Sequence, residues 1–126
     1  MSVQKELGAW GERLAADYIR RQGYLIRETN FRCPLGEIDI VAEKDEYLVF
    51  VEVRTKRGRD FGSPEESVTN SKAEKLIDLA HTYLQTHDDL PPFWRIDVVA
   101  VELTRSGKIS RLELIENAVS DRGDLR

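Results

Sequence analysis

The stretch GEIDIVAEKDEYLVFVEVRTK, Gly36 to Lys56, decides how the rest of the chain is read. It has the pattern of a β-hairpin whose turn centres on Asp45 and Glu46. One parity is wholly apolar: Ile38, Ile40 and Ala42 on the first strand, Val49, Val51 and Val53 on the second. These six are expected to face the core, because a strand's side chains alternate between its two faces. With that turn, Ala42 opposes Val49, Ile40 opposes Val51 and Ile38 opposes Val53. The other parity then sets Glu37 against Arg54, a cross-strand ion pair worth about 0.2 to 1 kcal/mol, and Asp39 against Glu52.

The second of those pairs needs relief. Two full charges on directly opposed residues, about 5 Å apart, repel by roughly 3 kcal/mol at an effective dielectric of ~20. A bound divalent cation, a shared proton, or side chains splayed into water would each remove that repulsion. Val41 and Phe50 share the parity of the two acids, which implies a partly covered face and weighs against splaying. Carboxylate oxygens are also the ligands that a hard ion such as magnesium takes.

Outward from the hairpin, Leu7, Trp10, Leu14 and Tyr18 recur at helical spacing and predict a helix over about Val3 to Gln22, stopped at Gly23. Tyr24 to Arg32 reads as a strand. A second helix is expected from Asn70 to Thr86, with Ala73, Leu76, Ile77, Ala80, Tyr83 and Leu84 on one stripe. WRIDVVAVEL, from Trp94, reads as a buried strand, and ISRLELIE, from Ile109, as a weaker one. The order is α-β-β-β-α-β-β, an α/β fold with a mixed sheet flanked by helices.

Length and composition fit one compact domain: 126 residues, 40% of them hydrophobic, assigned as a domain at 1–116 with a C-terminal tail at 117–126. The longest apolar runs, Leu48 to Val51 and Val98 to Val101, are too short to cross a bilayer, and MSVQKELGAW lacks the apolar stretch of a secretory signal. A cytoplasmic protein without membrane contact is expected. The single cysteine, Cys33, can form neither an internal disulfide nor a thiolate zinc site. A net charge of -4 argues against nonspecific coating of nucleic acid, although Arg54, Lys56, Arg57 and Arg59 form a positive strip beside the acids at Glu37 to Glu46.

GEID followed by VEVR resembles the PD-(D/E)XK nuclease signature, in which an acid on one strand meets acid-x-lysine on the next. WGERLAADYIRRQGYLIRETNFRCPLGEIDIVA, LVFVEVRTK, KAEKLIDLAHTYL and RIDVVAV, taken together, resemble the bacterial YraN family, similar to Holliday-junction resolvases and restriction endonucleases. The resemblance implies a restriction-endonuclease-like three-layer core and a metal-dependent endonuclease, with the alternative of a nuclease-derived module that binds nucleic acid or protein without turnover. It implies Asp39, Glu52 and Glu12 as ligands of magnesium or manganese, and nucleic acid, DNA before RNA, as the partner. A homodimer is suggested only by analogy with resolvases. Glu12 also has independent support, since it shares a helical stripe with Gly8, Ala15 and Ile19.

The signature's lysine position is Arg54, which stays protonated and so can clamp a phosphate oxygen but cannot serve as a base. Lys56 lies on the same strand face, and Lys72 sits at the edge of the second helix's stripe; each reads more simply as a solvated lysine. Glu37 is an auxiliary candidate through its pairing with Arg54. Arg57 and Arg59, on either side of Gly58 in a Gly-rich connection that suits backbone-phosphate contact, are the nucleic-acid-binding candidates. Arg95 and Asp97 are expected to make structural hydrogen bonds. His81 and His87 have no partners at ligand spacing and receive no role.

Overall fold

The structure, a computed structural model, describes residues 3–58 and 62–119. Helix α1 spans Val3–Arg21, and strands β1 (Leu25–Cys33), β2 (Gly36–Lys44) and β3 (Tyr47–Arg57) follow as a meander. Helix α2 (Asn70–Thr86) then carries the chain to β4 (Phe93–Leu103), parallel to β3, and β5 (Ile109–Val119) closes the far edge. The sheet order is β1-β2-β3-β4-β5, mixed because only the β3–β4 pair is parallel. A parallel pair needs a crossover element, and α2 is that element. The α/β class, the mixed sheet and the α-β-β-β-α-β-β order are as the sequence predicts.

Local signals act where the sequence puts them. Gly23 takes a left-handed backbone, φ 94°, just past α1. Thr69 caps α2 by accepting the Lys72 N–H at 3.2 Å. β5 continues to Val119, with Ala118 and Val119 buried, so the assigned boundary at 116 falls inside a strand.

The hairpin's second face, expected to be partly covered, is fully buried in the structure at Val41 and Phe50. The central strands are buried on both sides, so there are two cores. Ile40, Ala42, Val49 and Val51 pack with Ala15, Ala16 and Ile19 of α1, and Val53 lies against the same cluster. Val41, Leu48 and Phe50 pack with Leu76, Ala80 and Tyr83 of α2, and Ile38 joins them there. Ile38 and Ile40 therefore face opposite sides, and the alternation breaks at Asp39.

That break is the feature that builds the site. The β2–β3 ladder holds the expected register through Lys44↔Tyr47, Ala42↔Val49 and Ile40↔Val51, and stops there. Neither Asp39–Glu52 nor Glu37–Arg54 continues it. On the other side of β2, Asn30 lies between the pairs Thr29↔Ile40 and Phe31↔Ile38, with a left-handed backbone at φ 54°. Beyond Ile40 the two central strands part, and the Asp39 carboxylate fills the fork by accepting the Val53 N–H at 2.8 Å.

Candidate metal centre

Three elements converge on the fork. α1 crosses β3 at Gly11, where a Cβ would run into the Thr55 hydroxyl; this close approach brings the next residue, Glu12, to the sheet. Ala15 and Ile19, on the stripe predicted for Glu12, are fully buried. Glu12, Glu37 and Asp39 each offer a carboxylate oxygen, and the three oxygens lie within 4.8 Å of one another. Asn30 locks two of them, its Nδ2 donating to Glu12 Oε1 at 3.1 Å and to Glu37 Oε1 at 2.6 Å. Arg32 holds Glu37 from outside at 3.2 Å.

Glu52 stands behind this trio rather than in it. It is buried beside Asp39, whose other acidic neighbour is Glu12. Burial, followed by the charge of Asp39, raises Glu52 to about 7 against the pull of Lys72 and Arg54. Burial likewise raises Asp39 to about 6, with the Val53 N–H opposing it and Glu12 adding to it. Of the three forms of relief open to the two acids, burial favours retention of protons, since both are raised; a hard cation would compete with those protons at carboxylates that already converge. The donor set fits such an ion.

The sequence-predicted residues fall into distinct places. Glu12 and Asp39 come together as expected. Glu37 joins them as a ligand candidate, not as the partner of Arg54: with the ladder ended, Arg54 Nη1 turns to Glu52 Oε2 at 3.2 Å and its Nε to Ser67 Oγ at 2.8 Å. Lys72, in the first turn of α2, brings its Nζ to 3.5 Å from Glu52 Oε2, so it is not a purely solvated lysine. Lys56 lies opposite Glu102 of β4, roughly 13 Å along the strand from Glu52. Arg57 is at the end of β3, on the α1 side, while Arg59 lies outside the described residues. Sequence reasoning missed Asn30 and Ser67. The asparagine's signal was its own poor fit to a strand interior; Ser67, in a short 3₁₀ turn, gave none.

Arg95 and Asp97 make the structural bonds foreseen for them. Arg95 Nε donates to Asp97 Oδ1 at 3.0 Å, Arg95 Nη2 to the Tyr24 hydroxyl at 2.7 Å, and Asn117 N–H to Asp97 Oδ1 at 2.9 Å. His87 stacks on Tyr83 at 3.7 Å and His81 meets Trp94 edge-on, so both histidines are packing residues.

A three-layer α/β chain with converging carboxylates on α1 and at a strand fork is thus the class to which fold and site point. The chain belongs to uncharacterised protein family UPF0102, whose model matches residues 11–101, a range that contains every residue of the site. It is similar to UPF0102 proteins of Dehalococcoides mccartyi, at 49% identity over 94% of this chain and 96% of the relative, and of Roseiflexus castenholzii, at 49% over 91% and 94%. A UPF0102 protein of Dictyoglomus thermophilum is 39% identical over 90% of this chain and 97% of its own. The resemblance to the YraN family is accordingly correct. Among the described residues, no helix is long and apolar enough to cross a membrane.

Proposed function

We propose that this chain is a divalent-metal-dependent endonuclease that hydrolyses phosphodiester bonds in nucleic acid, with DNA favoured over RNA. The observation that carries the reading is the convergence of Glu12, Glu37 and Asp39 on one point at the strand fork, with Glu52, Lys72 and Arg54 behind it. Glu12, Glu37 and Asp39 would hold magnesium or manganese. Such an ion supplies charge neutralisation at the phosphate and an acidified water. Glu52 accepts or returns a proton at Asp39, and Asn30 fixes the orientation of Glu12 and Glu37. Lys72 supplies the ammonium that the signature's own lysine position lacks, because Arg54 is braced between Glu52 and Ser67. A cytoplasmic location belongs to the same reading, and the lone Cys33 accords with a reducing compartment.

The second reading, a nuclease-derived binding module, is favoured by one observation: Arg54 is tied to groups of the protein itself. The two part in a single experiment. Linear, single-stranded and four-way-junction DNA and RNA are incubated with the protein and magnesium or manganese, beside Asp39→Asn and Lys72→Ala. The enzyme reading expects cleavage that Asp39→Asn abolishes and Lys72→Ala cuts sharply while binding persists. Binding without metal-dependent cleavage in the wild type would leave the module reading standing.

A further inference from the structure

Where β3 ends, an open cleft of about 260 Å³ lies between α1 and the sheet, lined by Glu6, Leu7, Trp10, Arg57, Leu103 and Gly107. Its chemistry is unlike that of the fork. Leu7, Leu103 and the half-buried Trp10 form an apolar wall, while Glu6 and Arg57, one acceptor group and one donor group, are exposed at its mouth. Among the described residues, neither head makes an ion pair or hydrogen bond, with the other or elsewhere. Gly107 takes a left-handed backbone at φ 90° on the far side of the cleft, next to the Arg57 guanidinium. A phosphate contact, expected for Arg57 from sequence, does not explain an indole and a carboxylate in the same cleft.

A nucleobase explains all three. Unpaired bases stack on aromatic faces and are read along their edges. Arginine pairs with the O6 and N7 acceptors of guanine, and a carboxylate accepts from ring and exocyclic N–H donors. Guanine alone among the common bases presents a two-acceptor edge beside a run of N–H donors. We propose that this cleft takes an unpaired guanine, stacked on Trp10, with its acceptor edge on Arg57 and its N–H edge on Glu6. The source of the base rests on the nuclease reading. Arg57 is five residues beyond Glu52 on β3, roughly 17 Å, so the guanine would belong to the substrate strand a few nucleotides from the reacting phosphate.

The test needs neither metal nor turnover. Trp10 and Trp94 are the two tryptophans, so Trp94→Phe leaves Trp10 as the only indole reporter, and calorimetry on the wild type guards against a folding defect in that variant. Guanosine, adenosine, cytidine and uridine monophosphates and ribose 5-phosphate are titrated, then short single-stranded oligonucleotides with and without one guanine. The expected result is saturable Trp10 quenching by the guanine nucleotide, roughly tenfold or more tighter than by the others. The guanine-containing oligonucleotide should match it. Glu6→Gln and Arg57→Ala should each erase the preference, and Asp39→Asn should leave it intact. Equal responses to all four nucleotides, or binding of ribose 5-phosphate as tight as that of the guanine nucleotide, would overturn base recognition. Binding of the free nucleotide without the oligonucleotide would overturn the assignment to a substrate strand. Absence of metal-dependent cleavage in the wild type, with guanine binding preserved, would sink the nuclease reading and leave the cleft.

Discussion

Asp39 and Asp97 both sit on central strands and both are pushed upward by burial, yet they end in opposite chemical situations. Asp97 is completely buried and meets a guanidinium, a phenol and a backbone N–H: Arg95, Tyr24 and Asn117. Its charge is answered inside the protein. Asp39 meets one backbone N–H and two more acids, Glu52 and Glu12. The comparison teaches that a buried acid alone says little about function, and that the sign of its neighbours separates scaffolding from a place for a ligand.

The sharpest way to break that comparison is to remove each acid in turn. Asp39→Asn should lower cleavage by on the order of 10² to 10³ and abolish manganese binding by calorimetry, with stability held or raised. Asp97→Ala should do the reverse. It strands Arg95 beside Tyr24 and should lower stability by about 3 to 5 kcal/mol in urea denaturation, with manganese affinity unchanged in the fraction that folds. Similar phenotypes for the two variants would erase the distinction.

Next in size is a pH effect. Asp39 and Glu52 bind protons more tightly in the folded chain, at about 6 and about 7, than at their ordinary values of 3.8 and 4.5. Between about pH 4 and 7 the folded state therefore holds more protons than the unfolded one, and stability falls as pH rises across that window. Thermal midpoints measured without metal should decline from pH 4.5 to 7.5, and Asp39→Asn with Glu52→Gln should flatten the decline. Manganese affinity should climb over the same range, because the ion competes with those protons.

The hairpin shows how much of this was legible. Turn position and register were readable down to Ile40 and Val51, because β-branched residues and a two-residue turn specify them. The fork was not. Parity carries only as far as the strands stay paired, and the left-handed backbone at Asn30 is a local conformation without a pattern. The second core was legible only as partial cover, since Val41 and Phe50 read the same whether half or fully covered. Asp39 and Glu52 were found from their mutual repulsion and Glu12 from the family resemblance, but the place of Glu37 rather than Glu52 in the converging trio follows from the fork and could not precede it. Lys72 enters through the packing of α2, which periodicity along that helix does not reveal.

A smaller effect tests the locking residue. Asn30→Gly keeps the left-handed backbone and deletes the amide, so Glu12 and Glu37 lose their common donor; manganese affinity should drop about tenfold with little change in melting. The smallest expected change is at Arg54. Arg54→Lys should keep or raise cleavage, whereas Lys72→Ala should lower it. The opposite ranking would return the role of signature lysine to β3.

The close approach of Gly11 to Thr55 carries a consequence for synthesis. Helix α1 leaves the ribosome before β4, yet the cluster it packs into includes Val99, Val101 and Leu103 of β4. Until β3 and those residues have emerged, the surface that seats Glu12 beside Asp39 is incomplete. A nascent chain therefore carries the acids without the centre they form, and any chemistry that needs their convergence is withheld from incomplete polypeptides by topology alone.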